Sequence, residues 1–300
     1  MKNLSRTQPP IYLALLFLLV FSCGPNQTST ETEEEVENTM EVSESPQPSL
    51  ELVWETPADL TTNESVHYEE SDGMIYVANI EGEPAGKDGV GSISKLNTDG
   101  EIIDRNWVSG LNAPKGMTVM GDHLYVTDVD RLLEIALNTG EITNTYEVEG
   151  AQFLNDADND GNRVYFSDMK DGKILYLENG EIKTFAEGQE SINGLRVGND
   201  NTLYGLDAAG LKRYAEDGSF EIINDVVTGG DGLIIIDDQT FITSKWGGEI
   251  YLIQDGVETK ILDTTGEESN TADIGFIPNE NLVLVPTFFK NKVAAYKLVY

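Results

Sequence analysis

One short, β-rich run of residues recurs six times along the chain. Its anchor residues are spaced by 49, 40, 39, 38 and 41 positions; they are Tyr76, Tyr125, Tyr165, Tyr204, Ile242 and Val283. Each run is itself a strand pattern, with one strand pattern before it and one after it. In the first five repeats a glycine-containing turn then leads into a fourth strand pattern. Four strands in each period of about 40 residues are typical of a β-propeller blade. No segment keeps the apolar rhythm of a helix, so helical repeats are excluded.

The last repeat ends at Tyr300, one strand short of a complete blade. The segment Leu50–Trp54 precedes the first inner strand and has a strand pattern that could supply the missing one. Such a closure leaves no exposed sheet edge in the ring. We therefore predict an all-β fold over residues 50–300: a six-bladed β-propeller of four-stranded antiparallel blades, closed by an N-terminal strand.

The charge balance restricts the partners of this chain. Nineteen Lys and Arg oppose 53 Asp and Glu, which gives a net charge of −34. Such a field repels phosphate backbones, so nucleic acid is excluded as a partner. The sequence contains no serine-hydrolase elbow, phosphate-binding loop, zinc-protease motif or dinucleotide fingerprint, which removes those enzyme classes. The oligomeric state is left open.

The N-terminal segment carries a targeting signal. A basic start is followed by the apolar run Ile11–Phe21, which is too short to span a bilayer, and then by Ser22 and Cys23. This order resembles the lipobox of bacterial lipoproteins. The resemblance implies that residues 1–22 are a signal peptide and that Cys23 is lipidated, so that the protein is extracytoplasmic and touches a bacterial membrane only through its lipid anchor. An ordinary cleaved signal with an incidental cysteine is the alternative.

Residues 23–49 separate this signal from the first predicted strand. From position 24 onward the segment holds seven glutamates and no aromatic residue. It cannot bury enough apolar area to offset its ordering entropy, so it is predicted to be a disordered acidic tether.

Polar residues recur at one position of the repeat, 10 to 12 residues before each anchor. In a propeller these positions converge at one mouth of the ring; the six are Glu64, Lys115, Asn155, Asn193, Asp231 and Asp273. Several oxygen ligands around one point suit a hard cation. The same residues could instead cap strand ends and bind water in the channel, and residue types alone leave both interpretations open.

Four segments resemble the motifs of the regucalcin and gluconolactonase family, which is related to the paraoxonases. They are NESVHYEESDGMIYVAN (Asn63–Asn79), FLNDADNDGNRVYFSD (Phe153–Asp168), SINGLRV (Ser191–Val197) and GGDGLII (Gly229–Ile235). The resemblance implies that Glu64, Asn193 and Asp231 bind a divalent cation, calcium being the first candidate. It also implies that Asp231 is the general base and that Asn155 contacts substrate or metal-bound water.

The chemistry implied by this resemblance is hydrolysis of a lactone or related ester. A cation polarises the carbonyl, while a carboxylate accepts the proton of the attacking water. Phe153 stands where some sugar-lactone members carry arginine, so a sugar acid is not specified. The alternative is a non-catalytic, calcium-stabilised propeller that serves as a binding or scaffold module.

Basic and aromatic residues are expected beside this site. Lys115 lies among the inner-strand starts, and the loop after the second strand of the fifth repeat contains Lys245 and Trp246. We expect these three residues to bind a small-molecule substrate that carries an anionic group, with an apolar portion on Trp246. The alternative is that the lysines only keep the loops soluble.

Asp156, Asp158 and Asp160 spell the opening of an EF-hand loop. Ser167 stands where the loop would need its glutamate, and strands occupy the place of the helices. The pattern therefore favours a hairpin turn over a second calcium site.

Overall fold

The computed structural model describes residues 47–300, which form six four-stranded antiparallel sheets arranged as the blades of a propeller. Blade 1 contains β2 (Asn63–Glu69), β3 (Met74–Asn79), β4 (Gly91–Leu96) and β5 (Ile102–Leu111). Blade 2 contains β6 (Pro114–Met120), β7 (His123–Asp128), β8 (Arg131–Ala136) and β9 (Ile142–Glu147). Blade 3 contains β10 (Leu154–Asn159), β11 (Val164–Asp168), β12 (Lys173–Glu178) and β13 (Glu181–Glu187).

The other half of the ring repeats this plan. Blade 4 contains β14 (Leu195–Val197), β15 (Leu203–Asp207), β16 (Gly210–Tyr214) and β17 (Phe220–Asn224). Blade 5 contains β18 (Leu233–Asp237), β19 (Thr240–Lys245), β20 (Glu249–Gln254) and β21 (Val257–Asp263). Blade 6 contains β22 (Gly275–Ile277), a short 3-10 helix (Pro278–Glu280), β23 (Leu282–Pro286), β24 (Val293–Val299) and β1 (Ser49–Glu55). The predicted six-bladed, all-β fold is confirmed.

The ring is closed by the N-terminal strand, as predicted. β1 pairs antiparallel with β24, from Ser49 opposite Val299 to Glu55 opposite Ala294. Blade 6 therefore takes three strands from the C-terminal end of the chain and its outermost strand from residues that precede blade 1. This arrangement joins the two ends of the propeller by sheet hydrogen bonds.

The anchor residues of the repeat are buried between blades. All six have exposed fractions of 7% or less, and each packs in an apolar cluster with residues of its own and the neighbouring blade. The hydroxyls of two anchor tyrosines reach the turn that begins their own strand: Tyr76 donates to Asp72 over 2.7 Å, and Tyr165 donates to Asp160 over 3.1 Å. Burial of the rings and satisfaction of the hydroxyls explain why tyrosine recurs at this position.

Glycine allows the inner strands to approach one another closely. A Cβ atom at Gly194 would collide with the carbonyl oxygen of Asp231, and one at Gly232 would collide with the backbone of Ile274. Gly194 directly follows Asn193, and Gly232 directly follows Asp231. The glycines that allow close packing at the axis are therefore next to the candidate site residues in sequence.

The predicted targeting segment precedes the propeller, and the structure does not test it. The signal at residues 1–22, Cys23 and nearly all of the tether lie outside the described residues. Between residues 47 and 300 the structure has no helix with the length and apolar character to cross a membrane.

Candidate active site

The six polar mouth positions lie where the inner strands begin. Each is at the second position of an inner strand or two residues before one; they are Glu64, Lys115, Asn155, Asn193, Asp231 and Asp273. Five of the six are buried, and Asn193 is half-buried. The first strands of neighbouring blades lie side by side around the axis, which brings these positions together at one end of the channel.

A cavity of about 260 Å³ opens at this end. It is lined by Glu64, Ile80, Pro84, Lys115, Phe153, Asn155, Met169, Asn193, Asp231, Trp246 and Phe288. The structure thus brings together all but one of the residues predicted for metal or substrate binding. The exception is Lys245, which does not line the cavity, because it closes β19 opposite Glu249 of the same blade. The sequence did not predict that Ile80, Pro84 and Met169 line the cavity, because apolar residues in loops and at strand ends have no feature that marks them as part of a site.

Glu64, Asn193 and Asp231 form the floor of the cavity, and two of their side-chain oxygens have no hydrogen-bond partner in the part of the chain that the structure describes. Asn193 Nδ2 donates to Asp231 Oδ1 over 2.7 Å. Within the described residues, the buried Asn193 Oδ1 and Glu64 Oε2 have no hydrogen-bond partner. Buried polar atoms are nearly always satisfied, so these two oxygens are available to a bound water or cation.

These residues fit a hard divalent cation. Two carboxylates and an amide oxygen are ligands that Ca²⁺ accepts, and its preference for more ligands leaves positions for water and substrate. No group of three or more His, Cys, Asp and Glu residues suited to a metal occurs in residues 47–300, and the present set includes an asparagine. All three side chains offer oxygen donors, the ligand type that hard cations prefer.

The charges on the floor are unfavourable in the absence of a cation. Burial raises the pKa of Asp231 to about 7; the nearby Asp273 adds to this rise, and the hydrogen bond from Asn193 opposes it. Burial also raises the pKa of Glu64 well above its usual range, with a further contribution from Asp231. Burial lowers the pKa of the Lys115 ammonium, an effect that Glu64 opposes. A bound cation would relieve the repulsion between the carboxylates.

Two further buried acids, Asp156 and Asp273, lie close to Arg196. Ser65 Oγ donates to Asp273 Oδ2 over 2.7 Å, and an Arg196 terminal nitrogen lies 3.9 Å from Asp273 Oδ1. Burial raises the pKa of both Asp273 and Asp156, while Arg196 acts in the opposite direction. Arg196 and Ser65 were not predicted, because their contacts join blades that are distant in sequence.

The EF-hand-like aspartates do not form a second site. Asp156 accepts a hydrogen bond from Leu195 N over 2.6 Å, and Asp158 accepts one from Val197 N over 2.7 Å. Asp160 is instead paired with Arg163 at 2.7 Å. The three carboxylates have separate partners, and the segment is the predicted hairpin between β10 and β11.

The comparisons with known proteins concern the fold. No family model matches the chain, and no curated protein sequence matches it. A streptogramin B lyase structure has a TM-score of 0.59 at 15% identity, covering 84% of this chain and 98% of the lyase. The virginiamycin B lyase of Staphylococcus aureus has a TM-score of 0.58 at 14% identity, covering 84% of this chain and 100% of the lyase.

A third solved structure, of a protein assigned as a gluconolactonase, has a TM-score of 0.61 at 16% identity and covers 84% of this chain and 92% of that one. At these identities the similarity shows the fold alone. The gluconolactonase-like propeller predicted from the sequence motifs is confirmed at that level.

Proposed function

We propose that this protein is a metal-dependent hydrolase of a lactone or ester, with Ca²⁺ as the best-suited cation. One observation carries the proposal: unpartnered oxygens of Glu64 and Asn193 lie with Asp231 on the floor of an open cavity. The motif resemblance and the shared fold of a protein assigned as a gluconolactonase support the same chemistry.

The side chains have distinct roles in this proposal. Glu64, Asn193 and Asp231 would hold the cation, which when bound supplies a Lewis acid for the ester carbonyl. Asp231 accepts the proton of the attacking water, and the hydrogen bond from Asn193 fixes the orientation of its carboxylate. Asn155 lines the same cavity and can donate to the substrate. Ile80, Phe153 and Met169 exclude bulk water from the reacting bond.

The test is a panel of lactones and esters incubated with the purified protein in ¹⁸O-labelled water, with and without a chelator. Hydrolysis places the label in the acid product and stops when the metal is removed. Unlabelled, unsaturated products would indicate elimination, the type of reaction that the word lyase denotes for two of the proteins sharing the fold. Calcium binding without turnover of any substrate would favour the non-catalytic scaffold.

The proposal includes a location. The lipobox-like order around Cys23 supports attachment to the outer side of a bacterial membrane through a lipid, and the acidic residues 24–49 would space the propeller from the surface. The substrate would accordingly be met outside the cytoplasm.

A further inference from the structure

The cavity wall formed by blades 5 and 6 is aromatic. Trp246 follows β19, and Phe288 and Phe289 follow β23. The Trp246 ring centroid lies 5.7 Å from that of Phe288 and 5.9 Å from that of Phe289. Trp246 is 45% exposed and Phe289 is 59% exposed, although Phe288 beneath them is buried. This wall presents a rigid apolar surface at the entrance of the cavity.

The wall formed by blades 2 and 3 is cationic. Lys115 Nζ lies 4.5 Å from the Phe153 ring centroid, and Lys170 Nζ lies 4.6 Å from the same centroid. Lys115 donates to two neutral acceptors, the carbonyl oxygens of Pro84 at 2.8 Å and Ala113 at 3.0 Å. Two ammonium groups therefore meet at one aromatic ring of the cavity wall; Lys115 lines the cavity, whereas Lys170 is not among its lining residues and reaches the wall only through Phe153.

These two ammonium groups differ from the lysines of two other loops that follow the second strand of a blade. Lys87 is paired with Asp130, and Lys290 lies 3.4 Å from Glu267. Within residues 47–300, neither Lys115 nor Lys170 has a carboxylate oxygen within 4.0 Å. In a chain with a net charge of −34, two cations without a salt-bridge partner beside one cavity form a local site for an anion.

The blade order fixes how a ligand meets the two walls. In a ring of six, blades 2 and 3 stand across the axis from blades 5 and 6, and the floor with Glu64, Asn193 and Asp231 lies between them. At about 260 Å³ the cavity is small enough for one ligand at the floor to contact residues of both walls.

We infer that the substrate is an amphipathic ester or lactone in which the reacting carbonyl lies between an apolar group and a carboxylate. The apolar group packs on Trp246, and the carboxylate binds Lys115 and Lys170. The inference rests on the proposed hydrolytic function and adds the class of substrate to it.

Two esters of nearly equal length test the inference: the 4-nitrophenyl monoester of succinic acid, which carries a terminal carboxylate, and 4-nitrophenyl butyrate, which does not. We expect the wild type to favour the succinate. Lys170→Gln should raise the KM of the succinate relative to that of the butyrate about 5-fold, the upper end for a charge contact made by an exposed lysine. Trp246→Ala should raise both KM values together.

Lys290→Gln is the matched control, because Lys290 lies on a loop at the same end of the ring but is paired with Glu267. It should leave the KM ratio unchanged. The inference is overturned if Lys170→Gln leaves the ratio within twofold of the wild-type value, or if Lys290→Gln changes it as much.

A binding measurement separates this inference from the proposed hydrolysis. The succinic acid mono-anilide and butyranilide replace the ester by an amide, and their binding can be followed by calorimetry. Charge-selective binding that Lys170→Gln reduces would support the inference even if no ester is turned over. Equal affinities for the two anilides would overturn it, whatever the hydrolytic activity.

Discussion

Asp231 and Glu64 are carboxylates whose pKa values are raised by burial and then by a neighbouring carboxylate, which is Asp273 for Asp231 and Asp231 for Glu64. Placing them together at the end of an open channel is unfavourable unless a cation binds there. The hydrogen bond from Asn193 holds one of them in position and leaves the asparagine oxygen unpaired. These features of single residues support the proposed cation.

Replacing the base should separate catalysis from folding. In Asp231→Asn the amide cannot accept the proton of water, so kcat should fall at least ~100-fold, the lower range for loss of a general base. Stability in a chelator should not decrease, because the variant removes a buried charge. Stopped assays and thermal unfolding in EDTA measure the two effects; a kcat within tenfold of the wild-type value would refute the role of Asp231.

The raised pKa values predict a pH dependence of stability in the absence of metal. The unfolded chain releases the Asp231 proton near a pH of about 4, whereas the folded protein retains it up to a pH of about 7. The free energy of unfolding should therefore fall as the pH rises through this window. The Glu69 carboxyl has its pKa lowered to about 2, mainly by the neighbouring His67 ring, whose Nε2 lies 3.6 Å from Glu69 Oε2, so its contribution is already complete there.

Urea unfolding in EDTA at several pH values between 5 and 7 measures this slope. Asp231→Asn should make the slope shallower, and Ca²⁺ should restore stability at pH 7. A metal-free protein whose stability increases across this window would contradict the account.

Single residues show what sequence reasoning could and could not predict. Glu64, Asn193 and Asp231 were predictable because the same position of each repeat must reach the same mouth. The approach of Lys170 to Phe153 was not predictable, since it depends on a side-chain direction that spacing does not specify. The Ser65–Asp273 contact joins residues 208 positions apart and had no signal.

Strands β1 and β24 determine whether the propeller closes. Leu50 on β1 is buried in an apolar cluster with Leu298 on β24 and Ile261 on β21. Strand β1 was predictable because the last repeat is one strand short of a complete blade. Its register was not predictable, because a bulge between Leu52 and Trp54 shifts the pairing.

The two leucines of β1 provide a matched test of this closure. Leu50 is 9% exposed and Leu52 is 55% exposed. Leu50→Ala should lower the free energy of unfolding by about 2 kcal/mol, at the low end for buried leucines, and Leu52→Ala by less than about 0.5 kcal/mol. Urea unfolding monitored by tryptophan fluorescence measures both; equal losses would mean that β1 does not pack as described.

The whole chain combines an acidic propeller with an N-terminal segment that we predict to be a targeting signal. Its net charge of −34 attracts divalent cations toward the ring and repels anionic surfaces. An anchored protein of this kind would be kept off an anionic membrane by its own field, in keeping with the acidic segment that follows Cys23.

The anchor can be tested without knowledge of the substrate. Cys23→Ser removes the only thiol in the chain and hence the acceptor for a lipid. In bacteria expressing the full chain, the wild type should sediment with membranes and the variant should appear in the soluble fraction. Equal membrane association of the two forms would contradict lipidation.

The central claim is that the floor formed by Glu64, Asn193 and Asp231 is a metal-dependent hydrolytic site. The most direct test titrates Ca²⁺ into the chelated full-length protein while bound calcium and ester hydrolysis are measured in the same sample. The account predicts that activity is absent at the start and rises in proportion to the occupancy of one site, and that Glu64→Gln weakens both together. Activity that persists after complete removal of the metal, or calcium binding that Glu64→Gln leaves unchanged, would contradict it.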